Sequence, residues 1–585
     1  MDDFDDDIGS ETDDPGCDYL SPLRGCRKRI EDDESEFPDG AYAEISQLLQ
    51  AVPTVGEFSF GGRATTLPAM PGLHLDSAGD VPLPLTAKSA EIVIAQCQVS
   101  PYGTAHDTIV DEQVRKSWQT EMNRVTFKNP QWEVGMAQLG KVITHRLGYD
   151  GVTLELHPYN LLVYGPGGHF VKHQDTEKKD GMIATLVVQP PSLHEGGDLV
   201  VFSKNYRHRH DFGKTEGTAA FETHYAVHFA DAEHELEPVK SGFRLALVYS
   251  VCLPADKRSC EIPHLNGDVE RLSELMREIE EWMTLFLNHE YTNRSMTDLG
   301  SAALKGRDRA RVSALMVANS LLPPENQFRF YLAQMTYVKE VYNEEVRSED
   351  QFVSAWFSVD GGALHHSGRC DGAVTYSNVL NPDEEGYYEL WGERGRTSCD
   401  GYLGNETAAA DKRYCRYALI AWPAAKDCEF SFKFIGERAA ILAWQARRAV
   451  VKVNNSELET FLTTIAGAKT LKWQKRKMPT FSTGFFRYLS DILVESGSVS
   501  SALVFIKQLL PRARARRDRI ETVVRLTKGF GVSLVTEEVV DSLSRQGLLE
   551  AVCLELGRDT APFDRSIIDR MKSLGKRKRS EDSEQ

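Results

Sequence analysis

The stretch YGPGGHFVKHQD, residues 164–175, ends in a histidine and an aspartate two positions apart. Gly165, Pro166, Gly167 and Gly168 read as a turn. They do not form a phosphate cradle, which needs Gly-Lys-Ser/Thr and a helix behind it. The chain runs on instead into strand-like FVKH. Positions i and i+2 of a strand share a face, so His173 and Asp175 address one place while Gln174 turns away. Alone, the pair has two readings: a metal site, or a hydrogen-bonded polar patch at a strand rim. The rest of the chain decides between them.

Around this stretch the pattern is rich in strands. GVTLELHPYNLLVY (151–164), GMIATLVVQPP (181–191), GDLVVF (197–202), YAVHFAD (225–231) and FRLALVYSV (243–251) are runs of Val, Leu, Tyr and Phe broken by Gly, Pro and Asp. Several short strands with turns between them predict a barrel-like or double-sheet β core. A helix precedes it over 132–149, with Val134, Leu139, Val142, Ile143 and Leu147 at helical spacing. Downstream, VERLSELMREIEEWMTLFL (269–287) lines up Leu272, Leu275, Met276, Ile279, Trp282, Met283 and Phe286 and predicts one amphipathic helix. The organisation read from the chain is a disordered acidic tail (1–40), the β domain (41–255), a mixed α/β lobe (256–435), a helical region (436–570) and a basic-then-acidic disordered tail (571–585).

At 585 residues, 41% hydrophobic and 26% charged, the chain has the composition of a globular protein with several domains. No apolar run approaches the roughly eighteen residues of a membrane span. The start, MDDFDDDIGSETDD, is acidic where a secretion signal is basic and then apolar. Ten cysteines without a C-x-x-C pair argue against a zinc ribbon or disulfide scaffold. These features together predict a cytoplasmic or nuclear protein. Of the net charge of −18, residues 1–36 carry −10, from fourteen acidic and four basic side chains. The acidity therefore belongs largely to a segment too charged to bury a core.

Further residues bear on the metal reading. DAEHELEPVKSGFRLALVYSV (231–251) offers His234, far enough from Asp175 to return on another strand. Two histidines and one carboxylate make a facial triad, the set that holds Fe(II) and leaves positions open. Arg244 stands inside an otherwise apolar strand. A lone arginine there is costly unless it meets an anion, and its guanidinium fork suits a carboxylate.

In this order the residues resemble the Fe(II)/2-oxoglutarate-dependent dioxygenases, in particular the prolyl 4-hydroxylase-like branch. Tyr164, Gly167, Gly168, Phe170, His173 and Asp175 follow that pattern, as do HEGGDLVVF (194–202) and then His234, Pro238, Val239, Gly242 and Arg244. The resemblance covers about residues 90–255. Arg244 stands where many prolyl hydroxylases have lysine, and the double aromatic before the triad is reduced to Phe170.

The resemblance implies an α+β protein whose catalytic core is a double-stranded β-helix, or jelly roll, with iron at its mouth. It implies His173, Asp175 and His234 as iron ligands and catalytic residues, and Arg244 and Tyr164 on 2-oxoglutarate with Thr185 as a further donor. The cofactors are Fe(II), 2-oxoglutarate and O2, with ascorbate as an accompanying reductant. The reaction is hydroxylation of a prolyl or other protein side chain with release of succinate and CO2, so the partner is a protein or peptide substrate. Neither a membrane nor nucleic acid is expected, and the sequence leaves the oligomeric state open. The alternatives are a catalytically silent oxygenase fold acting as an interaction module, and a demethylase or nucleic-acid oxygenase on the same core.

Other motifs read more plainly. His169, His194, His224 and His228 are expected to be surface or core histidines with satisfied hydrogen bonds, and His365-His366 has no carboxylate–histidine partner at useful spacing. RARARR (512–517) reads as a solvated helix face, KRKR (576–579) as a nuclear-localisation candidate, and GYLGNETAAADKRYCRYALIAWP (401–423) as part of a degenerate second β lobe.

Overall fold

In a computed structural model of the chain, the described residues are 40–581 except 55, 104–107, 176–178, 180, 204–205, 255–267, 343–344, 365–377, 382–389, 392–395, 400–409, 451–454, 468–481, 514 and 559–564. The acidic segment 1–39, His365-His366 and residues 401–409 lie outside them.

The β core consists of two antiparallel sheets, their strands numbered here in chain order. The larger runs β1 (Ser59–Arg63), β11 (His224–Phe229), β7 (Met182–Gln189), β14 (Arg244–Cys252), β5 (Glu155–Tyr164), β4 (Trp118–Glu121) and β2 (Gln98–Val99). The smaller runs β10 (Tyr206–His210), β9 (Leu199–Ser203), β12 (Glu233–Leu236), β6 (His169–His173) and β3 (Arg115–Lys116). A separate ribbon pairs β8 (His194–Gly196) with β13 (Val239–Gly242).

Strand alternation sorts the larger sheet's side chains into two cores. Leu161, Val163, Leu186, Val188, Val227, Leu245 and Leu247 belong to the main core. Leu162, Tyr164, Val187, Ala226 and Ala246 face the other way and pack with Leu199, Val201 and Leu236 of the smaller sheet. Covered on both faces, β7 has all eight residues buried, which is why it reads as an almost unbroken apolar run. Each large apolar side chain so buried contributes about 1.5–3 kcal/mol. Helix α2 (Gln131–Arg146) lays Leu139 and Ile143 on the main core but leaves Val134 and Val142 exposed, so its buried stripe is narrower than the sequence pattern.

The mixed lobe holds a sheet of its own, in spatial order β18 (Ala363–Leu364), β17 (Glu345–Ser358), β16 (Phe328–Tyr342), β21 (Ala410–Pro423), β15 (Met283–Phe286) and β19 (Val379–Asn381), with β20 (Arg396–Cys399) also paired to β21. The single helix expected over 269–287 is divided. Helix α3 covers Val269–Met276, whereas Met283–Phe286 forms β15, paired with Ala418–Ala421. All four residues of β15 are buried, and burial on both faces of a sheet overrides a helical period.

One core cluster runs from Ile45 on helix α1 (Gly40–Ala51) to Ala421 on β21, joining the β core to the mixed lobe. From Glu437 onward the described residues are mostly helical, with their own cluster from Ala440 to Met571. Its last helix, Arg565–Glu581, runs through the segment read as a tail from 571 and buries Ile567, Ile568 and Met571. Among the described residues, no helix is long and apolar enough to cross a membrane.

Candidate metal centre

The β6–β12 pairing sets His173 directly opposite His234. Asp175 lies two residues past the end of β6, where its N–H reaches Ala230 O at 3.2 Å. One ligand atom from each of these three residues lies within 4.8 Å of the others, the only such group of three among the described residues. His234 Nε2 is 3.9 Å from Asp175 Oδ1, and the two imidazole rings are 4.2 Å apart between centroids.

The tautomers are set by the backbone. His173 Nδ1 lies 2.8 Å from Val171 O, and His234 Nδ1 lies 2.9 Å from Ala232 O. A carbonyl only accepts, so each Nδ1 carries the proton and each Nε2 keeps its lone pair for a cation. Phe170 stacks on His173 at 3.5 Å between centroids, and the Arg115 guanidinium lies 4.6 Å from the centre of the Phe170 ring. Burial, with His234 close by, pushes His173 down to about 3, so its ring is neutral near pH 7. Burial works against the charge of Asp175, but the surrounding imidazoles and Thr185 outweigh it and hold the carboxyl down to about 2. Two imidazoles and a carboxylate are the donor set of a facial triad.

Thr185 differs from expectation. Its hydroxyl, expected to face a cosubstrate, donates to Asp175 Oδ2 at 2.6 Å. Tyr164 and Arg244 are register partners on β5 and β14, and Arg244 lies on the same strand face as Ala246. The Arg244 side chain is 2% exposed, and its Nε is buried without a hydrogen-bond partner. Its guanidinium carbon sits 4.6 Å over the Phe212 ring and 5.6 Å from that of Tyr164. Burial lowers Arg244 to about 10, which still leaves it charged at neutral pH.

Two backbone features frame that guanidinium. Phe212 has φ of 53°, a left-handed conformation costing a non-glycine residue about 1–3 kcal/mol. Gly197, at φ 69°, leaves room where a Cβ would stand 2.8 Å from Val239 Cγ2 and 3.3 Å from Arg244 Cδ.

Sequence reasoning missed His228. It occupies the inner face of β11, opposite Thr185, with its ring 4.2 Å from that of His234. Its Nδ1 is bonded to Phe229 O at 3.0 Å while its Nε2 is buried without a partner. The available signal was its alternation with Ala226 on an inner face. By contrast, His169, His194 and His224 each have hydrogen-bond partners.

A cleft of about 640 Å³ beside Gly196 includes none of the three triad residues in its lining, and its Arg209 and Lys214 are paired with Asp198 and Glu237. In the basic run at 512–517, Arg512 and Arg516 donate to the carbonyls of Ile465, Ala466 and Gly547.

No family model and no curated protein matches the chain. Solved structures similar to it include a Pseudomonas putida prolyl-4-hydroxylase (18% identity, 36% of this chain and 99% of that one, TM-score 0.24). Another is an oxidoreductase of the 2OG-Fe(II) oxygenase family from Burkholderia pseudomallei (18%, 37% and 93%, TM-score 0.20). A third is a Trichoplax adhaerens prolyl hydroxylase in complex with a hypoxia inducible factor peptide fragment (12%, 36% and 90%, TM-score 0.20). At such TM-scores the likeness carries no argument, and the site is read from its own geometry.

Proposed function

We propose that this chain is an Fe(II)- and 2-oxoglutarate-dependent dioxygenase that hydroxylates a prolyl or other protein side chain. The observation that carries the reading is the convergence of His173, Asp175 and His234, with both imidazole Nε2 atoms left available by their Nδ1 bonds. Arg244 supports it: a buried cation with an orphaned Nε fits a carboxylate that arrives from solution, such as the far end of 2-oxoglutarate. Strand order supports a double-stranded β-helix, because β5, β7, β11 and β14 of the larger sheet alternate along the chain with strands of the smaller one. The substrate class rests on the sequence resemblance.

Fe(II) with 2-oxoglutarate supplies the oxygen activation that hydroxylates a C–H bond and releases succinate and CO2. The chain's own residues bind and orient: Thr185 fixes the carboxylate of Asp175, Phe170 the ring of His173, and Phe212 the plane over which Arg244 lies. The test is anaerobic binding of Fe(II) and 2-oxoglutarate, followed by succinate release on admitting oxygen with candidate peptides. Binding of neither would sink the reading.

A further inference from the structure

The turn between β11 and β12 presents three consecutive carbonyls, and each accepts a hydrogen bond from the triad segments. Asp175 N–H donates to Ala230 O at 3.2 Å, the Gln174 amide to Asp231 O at 2.7 Å, and His234 Nδ1 to Ala232 O at 2.9 Å. Gln174, the residue between the two ligands, is therefore tied to the same turn as its neighbours. The aim of Asp175 and of the His234 ring depends on where that turn sits.

The turn is anchored from the mixed lobe. One carboxylate oxygen of Asp231 accepts Lys305 Nζ at 3.0 Å; the other accepts His289 Nδ1 at 3.0 Å and Glu290 N–H at 3.1 Å. Lys305 is 3% exposed, and Asp231 is the ion-pair partner of its ammonium, beside Glu290 O at 3.5 Å. Burial opposes the charge of His289, but Asp231 outweighs it and raises its pKa. Asp308, 1% exposed in the first turn of helix α4 (Gly306–Ser320), grips the same loop through Asn288 N–H at 2.8 Å, His289 N–H at 2.9 Å and the Tyr291 hydroxyl at 3.0 Å. The carboxylates of Asp231 and Asp308 thus face Lys305 and a histidine whose protonated form Asp231 favours.

We propose that the mixed lobe is a positioning element for the metal centre. Its His289 and Lys305 clamp Asp231, and the clamped turn aims Asp175 and His234 through its carbonyls. The inference rests on the metal reading of the triad. His289 and Lys305 are not ligands and act only through this turn. Changes in such outer partners typically cost about 10–100-fold in metal affinity.

The test uses the full chain without oxygen and Co(II) as the metal probe, read by its visible absorption band, with thermal unfolding of the metal-free protein beside it. Lys305→Met is expected to raise the Co(II) dissociation constant by about 10–100-fold and to alter the band. Asp231→Asn, which preserves the shape, should act in the same direction and serves alone if Lys305→Met does not fold. Val312→Ala is the control: buried on α4 in the main core, it lowers stability while leaving every polar group of the cluster in place. Co(II) affinity within two-fold of the parent in the folded variants overturns the proposal. So does an equal loss in Val312→Ala, which would make the effect one of stability alone. A parent that binds no Co(II) at all overturns the metal reading itself.

Discussion

Replacing Arg244 by methionine keeps an unbranched stem and removes the guanidinium. Before any cosubstrate arrives, that charge is 2% exposed, faces the Phe212 ring and has an unpaired Nε. The ring contributes about 0.5–2 kcal/mol and Asp198 supplies an opposite charge farther off, whereas burying an ion with an incomplete set of hydrogen bonds costs several kcal/mol. The ligand-free Arg244→Met protein should therefore be at least as stable as the parent. Binding should suffer instead. Losing one partner of a desolvated charge pair costs about 2–5 kcal/mol, thirty-fold to several thousand-fold in affinity. The assay is thermal unfolding with Mn(II) in anaerobic buffer, with 2-oxoglutarate at a hundred times the parent's dissociation constant. The parent should gain about 2.7 kcal/mol, while a variant weakened thirty-fold gains only about 0.9 kcal/mol. Mn(II) affinity should not change. An equal gain from 2-oxoglutarate in both proteins would place the cosubstrate elsewhere and refute the role of the buried arginine.

Further outcomes are expected. His173→Ala and Asp175→Ala should each abolish stoichiometric Fe(II) binding in a folded protein, which equilibrium dialysis checks; wild-type stoichiometry in either would remove the triad. The metal-free protein should lose stability as pH falls from 6.5, because burial lowers His173, His194 and His210 to about 3 and His228 to about 4. Between those values and 6.5 the unfolded chain binds protons that the folded chain does not, so stability rises with pH there; melting temperatures from pH 7.5 to 4.5 test this, and a flat profile contradicts it. His228→Leu removes a buried acceptor left without a donor, a defect worth about 1–3 kcal/mol. Its melting temperature should match or exceed the parent's, and a drop of many degrees would show that His228 is bonded in solution.

The parts of the fold that could be read in the chain are those governed by short periods. Alternation along FRLALVYSV put Arg244 and Ala246 on one face and Leu245 and Leu247 on the other, as the two core clusters have them. The i, i+2 spacing brought His173 and Asp175 together, although Asp175 lies past the strand end and is held by a carbonyl of the neighbouring turn. Period alone failed at 269–287, where pairing with β21 drew Met283–Phe286 into a sheet. The Lys305–Asp231 pair spans 74 positions, and no local pattern signals so distant an ion pair. Thr185 is expected to donate to the cosubstrate, whereas its acceptor in the structure is Asp175, a partner that depends on how the two sheets stack.

The shared core from Ile45 to Ala421 has a consequence for how this molecule comes apart. A fragment ending near residue 254 would uncover the part of this cluster that now packs with residues 269–421, Tyr149 with its hydroxyl on Leu304 O at 3.0 Å among it, and it should aggregate rather than behave as a portable enzyme. The helical region has its own interior, from Ala440 to Met571, and should melt as a second cooperative unit. Calorimetry of the whole chain should then show two transitions, with metal raising only the one that includes the first 430 or so residues. Chain order thus separates what unfolding keeps together: the residues that aim the ligands lose their structure in the same event as the ligands, whereas the C-terminal helices can melt without emptying the site.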